Sequence, residues 1–112
     1  GNATFDSNKF EEAEKWYEQA LKQKPDDVNV RTDLGLTFIL RPTPDYDRAI
    51  KEFKRSLESN PNHIQTVQNL TVGYSKKGDY ENATATLKRL EELDPKNTAI
   101  EKRRLEISSL KK

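Results

Sequence analysis

Apolar residues along this chain recur at helical spacing, and the pattern itself recurs. In FEEAEKWYEQALKQKPDD, residues 10–27, Phe10, Ala13 and Tyr17 share one face of an amphipathic helix that Pro25 closes. YDRAIKEFKRSLESNPNH, from Tyr46, and YENATATLKRLEELDPKN, from Tyr80, return to the same skeleton. Ala13, Ala49 and Ala83 are 36 and 34 residues apart; so are Tyr17, Phe53 and Leu87, and so are Pro25, Pro61 and Pro95. Upstream of the second and third copies, VNVRTDLGLTFIL and IQTVQNLTVGYSKK carry Leu34 and Leu70. Each is followed four residues later by an aromatic, Phe38 or Tyr74, one turn further along the same face. A period near 34 made of two helical patterns points to an all-α solenoid of antiparallel helix pairs.

The pattern predicts helices at about 9–23, 27–41, 45–59, 63–77, 79–92 and 97–111, with GNATFDS as the tail of another. Phe38 to Tyr46 is eight residues where Tyr74 to Tyr80 is six, so the two extra residues fall in RPTPD, 41–45. Two prolines make that loop stiff and extended. Gly78 suits a left-handed C-cap, Asp45 and Asp79 suit N-caps, and Thr98 with Glu101 fits a capping box. The whole of 1–112 reads as one domain. A truncated first repeat takes 1–27, a second with the lengthened loop 28–63, a third 64–97, and a capping helix 98–112. By register the first helix of the first repeat lacks about seven residues before Gly1; they lie upstream, or another chain fills that face. A chain without methionine is expected to be a piece of something longer or a trimmed product.

Composition narrows the chemistry. Charged residues make up 35% of the chain and apolar ones 32%, so the core is thin and the solvated surface large. Twenty Lys and Arg against nineteen Asp and Glu give little steering toward polyanions, and acids interrupt the basic pairs, so nucleic acid is not an expected partner. The absence of cysteine removes disulfides, thiolate metal sites and a thiol nucleophile, and leaves the compartment open. His63 is the only histidine and reads as a solvated or capping residue. Most carboxylates have Lys or Arg within a turn, as on a solvated helix face. Three Asn-x-Thr triplets, at Asn2, Asn69 and Asn82, fall inside predicted helices and read as coincidence. No catalytic constellation, metal or cofactor is expected, and no direct membrane contact.

Leu34, Gly35, Phe38, Ala49, Phe53 and Pro61 fit the pattern Leu-Gly-x-x-aromatic, Ala-x-x-x-aromatic, Pro, and the third copy follows with Leu70, Tyr74, Ala83, Leu87 and Pro95. In these residues the chain resembles the tetratricopeptide repeats, over about residues 1–95. Gly1, Ala13, Tyr17 and Pro25 supply the first copy. Thr71 stands where glycine is usual. Leu90 replaces the usual alanine and is expected to pack on the last helix through Ile100, Ile107 and Leu110, with Lys102, Arg103, Arg104, Lys111 and Lys112 turned to water. The resemblance implies a right-handed superhelix whose inner face, lined by the first helix of each repeat, holds extended peptides.

By that register the inner face presents Asn2 and Phe5, then Asn29, Thr32, Asp33 and Leu36, then Gln65, Gln68, Asn69 and Val72. Leu36, Ile39, Leu40 and Val72 are apolar where core packing does not require it; Ile39 and Leu40 either line the groove or pack on the 41–45 loop. Apolar pockets flanked by amides suit an extended chain's side chains and backbone. In the form of this groove that clamps chaperone C-terminal carboxylates, the resemblance would put asparagine at Asp33, and lysine and arginine at Gln65 and Asn69. With those donors gone, the expected ligand is a neutral to mildly basic, partly apolar segment of a partner protein. The alternative is a self-assembling scaffold, a homo-oligomer joined through Phe10, Ala13 and Tyr17 of the open first repeat.

Overall fold

Helix starts follow the side chains able to accept from orphan backbone N–H groups. In the computed structural model, residues 2–110 are described, with side chains from residue 9 onward. They form α1 (Asn2–Gln23), α2 (Val28–Leu40), α3 (Tyr46–Ser59), α4 (Ile64–Lys77), α5 (Tyr80–Leu93) and α6 (Ala99–Ser109), and no strand. Asp27, Asp45 and Asp79 each accept from the N–H three residues on, at Val30, Arg48 and Asn82. Such a cap contributes about 0.5–2 kcal/mol. His63 caps α4 through its ring, Nδ1 accepting from the Thr66 N–H at 3.3 Å. Gly78 ends α4 at φ +87°, a left-handed geometry that glycine adopts without a Cβ clash.

Two local expectations are corrected. The break expected near residue 8 is absent, and α1 runs on through Asn2–Gln23. Neither glycine nor proline occurs in that span, whereas Gly78 and Pro42–Pro44 punctuate the corresponding junctions downstream. The Thr98 capping box is also absent, because Thr98 is already helical and its side chain caps nothing. Asn97 takes that role, its Oδ1 accepting from the Ala99 N–H at 2.8 Å.

The helices stack in two layers. α2 packs on α4 and α4 on α6, whereas the backbones of α1, α3 and α5 come close only to helices of the first set, the Arg48–Glu18 ion pair at 3.3 Å reaching across between α3 and α1. Close contact on one side and splay on the other make the α2–α4–α6 surface the concave one. The unit is thin, 35 × 34 × 22 Å, as the composition requires. Between the layers Leu34, Phe38, Ala49, Phe53, Leu70, Tyr74, Ala83, Leu87 and Leu90 are buried. Gly35 is small because the Phe53 ring lies against it: a Cβ there would stand 2.6 Å from Phe53 Cε1. The same register in the next repeat pairs Thr71 with Leu87, a larger residue opposite a smaller one. Thr71 is fully buried, and its hydroxyl donates to the Val67 carbonyl at 2.9 Å.

The lengthened loop is tied down. Arg41 Nε donates to the Thr43 carbonyl at 2.7 Å and its Nη1 to Glu14 of α1 at 2.9 Å. The guanidinium groups of Arg41 and Arg48 lie 5.2 and 4.5 Å from the centre of the Phe38 ring, a favourable cation–π placement.

Candidate peptide groove

Residues spaced i, i+4, i+7 and i+11 share one face of a helix. On the inner layer that set is Asn29, Asp33, Leu36 and Leu40 of α2, and Gln65, Asn69, Val72 and Lys76 of α4. Continued through α6 and its end it becomes Ala99, Arg103, Glu106 and Leu110. Asn29, Gln65 and Lys76 are exposed, while Asp33, Leu36, Asn69 and Val72 are half-buried. Leu40 is 59% exposed, an apolar side chain left open at the end of α2. Ile39, its neighbour, is buried and comes within reach of Gly73 on α4 beside Ile50. It therefore packs between helices. Asn2 and Phe5 lie outside the residues whose side chains are described.

Of the expected groove residues, Thr32 is buried inside the stack and Gln68 is half-buried and held by another helix's lead-in. Thr32 is 1% exposed, with Oγ1 3.3 Å from Ser56 Oγ on α3 and 2.7 Å from Thr66 Oγ1 on α4. Thr66 Oγ1 in turn lies 2.6 Å from His63 Nδ1. With Nδ1 accepting, the ring proton sits on Nε2 and is donated to Asn29 Oδ1 at 3.1 Å. Gln68 is bound through Oε1, which accepts from Asn97 Nδ2 at 3.1 Å. Thr32 and Gln68 lie on the flank of their helices that faces the next inner helix; stacking covers Thr32 fully and Gln68 in part. Conversely, Arg103 was expected to face water, yet its side chain is 13% exposed and paired with Glu106 at 3.0 Å. The 34-residue register from Asn69 reaches Arg103 and could have placed it on the inner face.

Asp33 is the one acid of this face on α2 and α4. Burial holds its pKa above the ordinary aspartate value, and the neighbouring Asp27 carboxylate pushes the same way. A carboxyl group whose pKa is raised on folding binds protons as the chain folds. Stability therefore falls as pH rises from the ordinary aspartate value, about 3.9, through the folded one. Asp33→Asn is expected to raise the urea midpoint slightly at pH 7. The gain should shrink as pH is lowered and level off below that ordinary value; a gain independent of pH would contradict this reading.

Among the described residues no group of His, Cys, Asp or Glu could hold a metal ion, and no helix is long and apolar enough to cross a membrane.

Comparison with known proteins agrees with this architecture. Hsp70-Hsp90 organizing protein 3 of Arabidopsis thaliana is 30% identical over 105 residues, covering 87% of this chain and 17% of that protein. The chain thus spans about a sixth of the relative's length. Among solved structures, the first TPR of Spaghetti (RPAP3) bound to HSP90 peptide SRMEEVD is similar with a TM-score of 0.82 at 18% identity, over 97% of this chain and 87% of that one. The TPR2B-domain:pHsp70 complex of yeast Sti1 gives 0.80 at 16%, over 96% and 94%. MamA MSR-1 C2 gives 0.69 at 19%, over 91% and 67%. Identities this low speak to the fold, an all-α superhelix. The family described as the cilia and flagella-associated protein 70 middle TPR-like domain matches residues 5–110. With its three-fold register of Ala, then an aromatic or Leu, then Pro, and its paired helices, the chain belongs to that family of tetratricopeptide-repeat-like domains.

Proposed function

We propose that this domain is a non-catalytic protein-interaction module whose inner face holds an extended segment of a partner protein. The observation that carries the reading is Leu40 left open and Val72 half-covered, beside Leu36, whose inner side packs on the core and whose outer side stays accessible, among the amides of Asn29, Gln65 and Asn69. Solvation alone gives no reason for such a mixture, whereas side-chain pockets beside backbone-binding amides are what an extended peptide needs. Two structures of similar fold are complexes, one with an HSP90 peptide and one with pHsp70, and the curated relative is named for organizing Hsp70 and Hsp90. These support peptide binding by a domain of this fold. The segment held here is neutral to mildly basic and partly apolar, because Asp33 brings an anion and Gln65 and Asn69 bring amides to the surface. Inner helices spaced by about 8–10 Å give three helices a span of roughly 20 Å, or about six extended residues at about 3.3 Å each.

A random-peptide display selection on the chain tests this, with Leu36→Glu as the control. Selected peptides should bind the variant at least about tenfold more weakly, since a charge would replace the central apolar contact. Because Leu36 is half-buried and packs on the core, the helicity of the variant is measured alongside and Val72→Glu, at the matching position of α4, serves as the second control. Equal binding to both proteins, or no enrichment, would remove the concave-face reading.

A further inference from the structure

Between α1 and α3, with α2 beneath, lies a cleft of about 440 Å³ whose charged lining is Lys22, Arg31, Arg48 and Arg55 against Glu18 and Glu52. Both acids are already engaged, Glu52 with Arg31 at 2.7 Å and Glu18 with Arg48 at 3.3 Å. Lys22 and Arg55 are exposed and meet no acid among the described residues, so positive charge is left over in the cleft. The next repeat shows that stacking does not require it. At the junction of α3, α4 and α5 the positions of Lys22, Arg31, Arg48 and Glu52 hold Glu58, Val67, Asn82 and Thr86. Arg89, which matches Arg55, is held there by Glu92 and Asn62. The side chains of Arg31 and Glu52 are moreover only 11% exposed each. A buried ion pair seldom stabilises a fold more than the apolar residues that could replace it. What the pair does is fix a guanidinium at the base of the cleft, its Nη2 donating to the Pro25 carbonyl at 3.1 Å.

We propose that this cleft is a second docking surface, separate from the inner groove, for an acidic segment of a partner protein with neighbouring Asp or Glu side chains. Charge complementarity carries the assignment. Guanidinium forks match carboxylates in geometry as well as in sign, and a cleft lined by one sign of charge concentrates its field. One carboxylate of the segment meets Arg55 and Lys22, which have no acid to give up. The other takes Arg48 over from Glu18. That exchange costs little, because the Arg48 and Glu18 side chains are 53% and 45% exposed and exposed pairs contribute little. Arg48 stays in place through it, its guanidinium resting 4.5 Å from the centre of the Phe38 ring. Glu18 occupies the ligand's place until then and sets the selectivity, since a neutral segment offers Arg48 nothing better. The domain can then hold two partner segments at once, one on the inner face and one between the outer helices.

The test is a display library of acidic heptapeptides selected on the chain, with the best peptide then measured by fluorescence anisotropy. Lys22→Glu together with Arg55→Glu should weaken binding at least about tenfold. Lys96→Glu together with Lys102→Glu, the same change of net charge at exposed positions outside the cleft, should weaken it less than about threefold, because solvent and salt screen distant charges. Glu18→Gln should tighten binding by about threefold or more, since Arg48 no longer has a partner to leave. All five substituted residues are exposed, and circular dichroism checks that each variant keeps its helicity. No enrichment, equal weakening by the two double variants, or looser binding to Glu18→Gln would overturn the cleft. Acidic peptides whose binding is lost in Leu36→Glu would place them in the inner groove, overturning the cleft and leaving the groove standing. Two other occupants are read in the same series. Self-association of the chain that Arg55→Glu abolishes would assign the cleft to the acidic α1 of a second copy. Binding of phosphatidylserine vesicles with the same Arg55 dependence, without binding of the peptides, would assign it to a lipid surface. Either result would overturn the acidic segment.

Discussion

Phe53→Ala is expected to destabilise the domain by roughly 3–5 kcal/mol, the usual cost of truncating a buried aromatic. Phe53 is fully buried, and the backbone of α2 approaches its ring so closely that Gly35 has no room for a Cβ. The surroundings cannot collapse into the space without moving a helix. Against a total stability of about 5–15 kcal/mol for a typical domain, most of the margin would go. In a stack where each helix leans only on its neighbours, the loss should be felt first in α2 and α3. Urea denaturation measures the total, and amide exchange shows whether α2 and α3 open before α5 and α6. The third repeat indicates the remedy. It places Thr71 and Leu87 at the register of Gly35 and Phe53. Gly35→Thr alone should cost about 1–3 kcal/mol by overpacking, and much of that should be recovered when Phe53→Leu is added. Simple additivity of the two substitutions would contradict this account of the contact.

Thr32→Val is the second large effect, about 1–3 kcal/mol in spite of its unchanged shape. Thr32, Ser56 and Thr66 are each at most 1% exposed and come from α2, α3 and α4. Their hydroxyls are mutually satisfied, so removing the central one leaves Ser56 Oγ buried without a partner and takes one from Thr66. Deleting both ends of a buried hydrogen bond is cheaper than deleting one. Thr32→Val with Thr66→Val should therefore cost less than the sum of the single changes, by about 0.5–3 kcal/mol. The His63 ring would still cap α4 in that double variant, because Nδ1 accepts from the Thr66 backbone as well as meeting its hydroxyl. Denaturation of the four proteins of the cycle decides it; zero coupling would mean that the hydroxyl chain does not join the repeats.

The architecture was legible because its signals are local and repeated. Pro25, Pro61 and Pro95 mark the turns between pairs, Asp45 and Asp79 cap as their positions suggest, and Gly78 takes the left-handed geometry. Leu90 is fully buried, and Ile100 and Ile107 belong to the same core. What could not be read depends on how helices lean on one another. Helical spacing shows that Thr32 and Gln68 lie beside the inner face, but only the stacking of α4 on α2 and α6 on α4 shows that Thr32 is covered and Gln68 half-buried. Arg103 was hidden by its setting among Lys102 and Arg104, and a basic run is usually solvated. The continuous α1 was missed because the repeat register implies a turn that no residue in Asn2–Gln23 enforces.

The most direct test of the central claim is an NMR titration of the chain with its best selected peptide, following the backbone and side-chain amides of the inner layer. The account predicts the largest shifts at Asn29, Asp33, Leu36, Gln65, Asn69 and Val72, with the Asn69 side-chain amide among them and little change on the outer faces of α3 and α5. Shifts concentrated on α3 and α5, or on the exposed Trp16 face of α1, with the inner layer unmoved, would contradict it.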